Sequence, residues 1–231
     1  MSTVIRRIAT AGLVHIPSGS VSIEGSLELP VQPAGVILFA HGSGSSRRSP
    51  RNNRVAAQLR EAGLGTLLID LLTEEEDRQQ ETRFDIALLT DRLTDALTWL
   101  GADPRTAGLP VGLFGASTGA AAALQVAARH PETVAAVVSR GGRPDLAGRA
   151  VLRAVHAPVL LIVGGNDDIV IELNREALAE LRGPRRLSIV PRATHLFEEP
   201  GALEQVARLA SFWFITHLEG QPVSPPRRPA R

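Results

Sequence analysis

The pentapeptide Gly115-Ala116-Ser117-Thr118-Gly119 constrains this chain more than any other stretch, because of what lies on either side of it. Before it, Val111-Gly112-Leu113-Phe114 follows Pro110 as a short unbroken apolar run, the pattern of a strand covered on both faces. After it, residues 120–129 are rich in alanine and carry Leu124 and Gln125, which makes a good helix. A serine between the two sits on a tight strand-to-helix turn. A side chain at either glycine would collide with the adjoining strand or helix, so both positions must be small. Such a turn lifts the hydroxyl above the end of a sheet and aims the unpaired amides of the helix N-terminus at any anion forming there. The context, more than the spelling, marks Ser117 as a candidate nucleophile.

The rest of the chain repeats the strand-then-helix pattern. Residues 12–16 and 21–29 read as an antiparallel hairpin, with Val21, Ile23, Leu27 and Leu29 alternating with polar residues and Gly25 taken as a β-bulge. A continuously apolar strand follows at 36–40, with further strands at 64–70, 134–139 and 158–163 and a last one at 187–190. A helix is expected from Pro50, capped by Ser49, to about residue 62, and others over 84–100, 171–181 and 201–218. Residues 73–83 read as a polar loop. This alternation predicts an α/β fold, a doubly wound and mostly parallel sheet with an antiparallel N-terminal hairpin. Ligands are then expected at the carboxyl ends of the strands. Only residues 140–157 separate two consecutive strands, too few for a large lid domain. Residues 1–220 are read as one domain, and the Pro- and Arg-rich residues 221–231 as a disordered tail.

Composition removes several chemistries. The 231 residues contain no cysteine, so disulfides, thiol catalysis and thiolate metal sites are excluded together. They also contain no tyrosine and no lysine, so all 25 basic residues are arginine. A phosphate-loop lysine, a Schiff-base lysine and a Tyr/Lys reductase pair are therefore absent. A net charge of +1 argues against a nucleic-acid partner. No signal-like apolar segment follows Arg6 and Arg7 and no apolar run is long enough for a membrane span, so a cytoplasmic location is expected. The histidines show no metal-ligand spacing, and neither metal nor cofactor is expected.

Serine is a poor nucleophile unless a base lies within hydrogen-bond reach. Of the six histidines only His195 stands in a polar loop just after the last strand. His15 lies in the first strand, His130 ends a helix, His156 precedes a strand, and His217 is in the closing helix. His41 belongs to a His-Gly turn and is read as structural. A carboxylate must orient the imidazole, and Asp167 and Asp168 stand at the neighbouring strand end. For the oxyanion, one amide is that of Thr118. The other comes from the small-residue loop His41-Gly42-Ser43-Gly44-Ser45-Ser46, through Ser43 or Gly44. Arg140 ends a strand on the same rim, where it meets either an acidic substrate or Asp145. Arg47, Arg48, Arg51 and Arg54 crowd a helix start against its dipole and call for anionic partners. The run Glu74-Glu75-Glu76-Asp77 is the expected one, with substrate-anion binding as the alternative.

The order Ser117, Asp167 or Asp168, His195 is the chain order of α/β-hydrolases. The span from about residue 36 to 218 resembles that superfamily, and within it the dienelactone-hydrolase-like branch. HGSGSSRRSPRN, GASTG, SRGGRPD, GGNDD and ATHLFEEPG resemble in particular hydrolase domains found alone or fused to phosphoribosyltransferases. The resemblance implies an acid at the fourth position of Gly-x-x-Asp-x-x-Val, which in residues 164–170 is Asp167. Dienelactone hydrolases use a cysteine where this chain has Ser117, so the resemblance implies ester hydrolysis without implying a dienelactone substrate. No phosphoribosyltransferase chemistry is implied. The expected function is a serine carboxylesterase acting on small-molecule esters of small or medium acyl groups. Acyl transfer or perhydrolysis, and a non-catalytic binding module on the same scaffold, are the alternatives. Oligomeric state is open at this level.

Overall fold

A computed structural model describes residues 8–218. Eight strands form one sheet in the order β1-β2-β4-β3-β5-β6-β7-β8. These are β1 (Ile8–Ser18), β2 (Val21–Pro30), β3 (Val36–Ala40), β4 (Gly65–Ile69), β5 (Val111–Ala116), β6 (Val134–Arg140), β7 (Val159–Gly164) and β8 (Arg185–Val190). β1 and β2 form the antiparallel hairpin, β2 joins β4 antiparallel, and every pair from β4 through β8 is parallel. The helices are α1 (Pro50–Glu61), α2 (Glu74–Asp77), α3 (Ile86–Ala102), α4 (Thr118–Arg129), α5 (Arg149–Ala154), α6 (Asp168–Glu180) and α7 (Ala202–Leu218). The expected architecture is therefore present, and the expected tail at 221–231 lies outside the described residues.

The uninterrupted apolar strands follow from a sheet buried on both faces, since successive side chains point to opposite sides. In β3, Val36, Leu38 and Ala40 join a core with α3 and α4, while Ile37 and Phe39 join a second core with α1 and α7. β7 divides in the same way, Val159 and Leu161 on one face and Leu160 and Ile162 on the other.

Three expectations need correction. Gly25 is not a bulge: it pairs in register with Val14 and with Ile69, and the one irregularity of the hairpin falls between Ile8 and Thr10. Glycine is required there by crowding, because a Cβ would meet Leu67 Cδ1 at 2.9 Å and Val14 Cγ2 at 3.1 Å. The segment expected as a polar loop contains α2, started by a reciprocal cap between Thr73 and Glu76, a Thr-x-x-Glu signal legible in the sequence. Three of the four arginines at the start of α1 find carboxylates, none of them in the acidic run. Arg47 pairs with Asp70 at 2.8 Å and with Glu24, Arg51 with Glu198 at 2.9 Å, and Arg54 with Glu204. Glu76 is taken by Arg92 of α3 at 2.7 Å and Asp77 by Arg83 at 3.0 Å.

Candidate active site

Ser117 joins β5 to α4 with φ 50° and ψ −119°, a left-handed φ that a residue with a side chain adopts at a cost of about 1–3 kcal/mol. The flanking glycines make the turn possible. A Cβ on Gly115 would lie 2.4 Å from Ala120 Cα, and one on Gly119 would lie 2.3 Å from the carbonyl oxygen of Ala40. The turn is tied to the neighbouring strand end: Ser117 N–H donates to the Arg140 carbonyl at 3.2 Å, and Arg143 N–H donates to the Ser117 carbonyl at 3.1 Å. α4 begins at Thr118, so its unpaired N-terminal amides face the space beside the serine.

The loop after β3 lies against this turn. His41 is buried, and its Nε2 accepts the Leu71 N–H at 2.9 Å while Nδ1 meets the Gly42 carbonyl at 2.9 Å. That pairing specifies a neutral ring protonated on Nδ1. Burial, opposed by the Gly42 carbonyl and by Asp70 and Asp77, keeps the imidazole below its ordinary range. Neither nitrogen is left for proton transfer. Ser43 N–H donates to Thr118 Oγ1 at 3.0 Å, and Gly44 follows with φ 65°.

His195 and Asp167 come from the ends of β8 and β7. Asp167 ends the loop after β7 and its carboxylate meets His195 Nδ1 at 2.7 Å, while Asp168 opens α6 and faces solvent. The two loops are locked together. Asn166 N–H donates to the Ala193 carbonyl at 2.9 Å and its Nδ2 to the Arg192 carbonyl at 3.0 Å, and a Cβ on Gly164 would lie 2.4 Å from the Ala193 oxygen. Among the described residues no hydrogen bond links Ser117 Oγ to His195. The imidazole nonetheless rests beside Gly141, the residue after Arg140, where a Cβ would lie 3.5 Å from His195 Cε1. Since the Arg140 carbonyl holds the Ser117 amide, the ring stands over the strand end to which the serine turn is tied. Rims of this kind commonly tighten only when substrate is bound.

Arg140 is only 8% exposed and does not pair with Asp145, which is bound by Arg143 at 2.7 Å. Its Nη2 donates to Asn52 Oδ1 at 3.3 Å and its guanidinium lies 5.8 Å from the Phe197 ring centroid. Its Nε and Nη1 have no partner among the described residues. Burial first, and then nearby Arg51, push its pKa down to about 10. Two supports escaped the sequence. Phe197, two residues after His195, is buried with φ 57°. Asn174, a buried polar residue in the apolar stripe of α6, donates to the Gly142 carbonyl at 3.0 Å and so braces the loop after β6. A polar residue interrupting that stripe was the available signal. Among the described residues no group of His, Asp and Glu side chains is arranged to hold a metal ion, and no helix is long and apolar enough to cross a membrane.

A serine on a strained strand-to-helix turn after β5, a His–Asp pair at the ends of β7 and β8 and, among the described residues, no inserted lid together define the α/β-hydrolase fold. The chain belongs to the dienelactone hydrolase family, whose sequence profile matches residues 23–211. It is similar to the crystal structure of a dienelactone hydrolase from Anabaena variabilis, with a TM-score of 0.88 and 56% identity over 91% of this chain and 99% of that one. It is also 58% identical over 207 residues to a protein of Mycobacterium tuberculosis H37Rv named a putative phosphoribosyl transferase. That match takes in 90% of this chain but 46% of the relative, so the chain spans about half the relative's length. A lidless serine hydrolase from Xanthomonas campestris shares the fold, with a TM-score of 0.75 at 20% identity over 93% of this chain and 98% of that one.

Proposed function

We propose that the protein is a cofactor-independent serine carboxylesterase acting on small or medium acyl esters. The observation that carries the reading is the 2.7 Å bond between His195 Nδ1 and Asp167, on the same sheet rim as a strained Ser117. Held in that tautomer, His195 offers Nε2 as the base that takes the Ser117 proton as Oγ attacks the ester carbonyl. The Thr118 amide and an amide of the loop at Ser43 or Gly44 hold the oxyanion. His195 then protonates the departing alcohol, and water repeats the sequence on the acyl-enzyme. Losing one such amide typically costs on the order of 100-fold in rate. Phosphoribosyl transfer, the activity in the name of the longer relative, is not part of the proposal.

Arg140 is the proposed contact for an anionic substituent of the substrate, supported by its two unpartnered, buried N–H groups. Matched neutral and carboxylate-bearing esters test this, and equal kcat/KM for the two would remove it. The reading as a whole is tested with a fluorophosphonate probe and a chain-length series of model esters. Labelling and turnover by the wild type that both vanish in Ser117→Ala are expected. An unlabelled, inactive wild type sinks the reading.

A further inference from the structure

We propose that the side chain of Thr118 is a positioning residue for this reaction, its hydroxyl gripping the Ser43 amide to set the spacing between the two segments that supply the oxyanion donors. The proposal rests on the esterase reading above and adds to it a residue whose backbone alone has so far had a role. The Ser43 N–H donates to Thr118 Oγ1 at 3.0 Å, across 75 residues of chain. Thr118 is 2% exposed, so its end of the bond is shielded from water. The two partners stand where the chemistry needs rigidity, one at the first residue of α4 and the other beside Gly44.

The loop has other anchors, upstream at His41 and Gly42 and downstream at Arg47, but they do not hold Ser43 itself. His41 is fastened to Leu71, and Gly42 packs on the serine turn so closely that a Cβ would sit 3.0 Å from Ser117 Cβ. Past Ser43 the backbone turns through a left-handed Gly44, with Ser45 N–H donating to the Gly42 carbonyl at 3.2 Å, and its next tie outside the loop is at Arg47, whose N–H donates to Asp70 Oδ1 at 2.6 Å. The Thr118 hydroxyl is thus the side-chain tie from Ser43 to the turn that carries the nucleophile. With the Ser43 amide engaged, the Gly44 amide, which has no partner among the described residues, is the loop donor left to face the oxyanion. Preorganised donors stabilise charge only at the right distance, and a shift of about 1 Å in such a site costs roughly 100-fold.

Thr118→Val keeps the shape and the backbone N–H of residue 118 but sets a methyl against the Ser43 amide. Steady-state kinetics on p-nitrophenyl butyrate, thermal melting, and amide hydrogen exchange at Ser43 are measured on the full chain for wild type, Thr118→Val, Thr118→Ser and Ser117→Ala. Thr118→Val is expected to lower kcat roughly 10- to 100-fold with KM changed less than about threefold. Thr118→Ser should recover most of the rate, and the Ser43 amide, slow to exchange in the wild type, should exchange faster in Thr118→Val. A folded Thr118→Val with wild-type kcat overturns the proposal. If that variant does not fold, exchange in the wild type decides: a protected Ser43 amide supports the grip and a freely exchanging one overturns it. A wild type that neither turns over the ester nor takes up the fluorophosphonate probe sinks both readings. An active, Ser117-dependent enzyme indifferent to Thr118→Val sinks only this one.

Discussion

Ser117 and Asp167 illustrate two different kinds of legibility at the level of single residues. The small flanks of Ser117 can be read directly, because a left-handed, crowded turn tolerates nothing larger than glycine beside it. The chemistry of two adjacent carboxylates at one strand end does not choose between Asp167 and Asp168, and only the resemblance of residues 164–170 to Gly-x-x-Asp-x-x-Val pointed to Asp167. Folding separates them: one faces His195 and the other becomes the solvent-facing first residue of α6. Asp167→Asn should therefore lower kcat by roughly 1,000- to 10,000-fold, as expected when the orienting carboxylate of such a triad is lost. Asp168→Asn should leave it near the wild-type value. Parallel turnover assays decide, and equal losses in the two variants would be incompatible with the pairing seen here. Arg140 was the least legible residue. Its nearest acid in sequence, Asp145, is held by Arg143, and its actual partner, Asn52, lies 88 residues away.

Among the elements, the parallel strands were the clearest, since an apolar run of a few residues bounded by glycine and loop signals has few other uses. Boundaries moved where side chains reached across. α6 begins at Asp168 rather than at residue 171 because its first turn is built on the loop that carries Asp167. The closing helix was legible from its apolar stripe, but its fit was not. In α7, Phe214 is fully buried and lies over Gly112 of β5, where a Cβ would come 2.7 Å from the Phe214 ring. Phe214→Ala should cost about 3–5 kcal/mol, because truncating so large a buried ring leaves a cavity that the sheet cannot fill. Urea denaturation measures it. A loss below about 1 kcal/mol would mean that this face repacks.

Across the whole molecule, one polar system joins the hairpin, α2 and α3. Arg92, only 7% exposed, donates to the Ser18 carbonyl at 2.7 Å and to Glu76 at 2.7 Å. Burial alone would raise the Glu76 carboxyl, but the Thr73 amide and the Arg92 guanidinium outweigh it and hold the pKa below its usual 4.5. His41, pushed below its usual 6.5 by burial, acts at higher pH. The unfolded chain binds the His41 proton as pH falls through about 6.5 while the native one resists, so stability should begin to fall there and level off once the native ring is protonated. Glu76 stabilises the native state above its unfolded pKa, and that share should be lost as pH drops below about 4.5 through its native value. Denaturant titrations at several pH values should show this two-stage acid branch. A flat stability between pH values well above and well below 6.5 would contradict the buried neutral His41.

The order of strands and helices, the serine turn and the one histidine standing in a polar loop just after the last strand were written into the chain, because periodicity and crowding act over a few residues. Which arginine meets which carboxylate, and that Thr118 reaches Ser43, were settled by packing alone. Those contacts join positions tens of residues apart, and a side chain's partner across such a span depends on how the sheet brings its strand ends together.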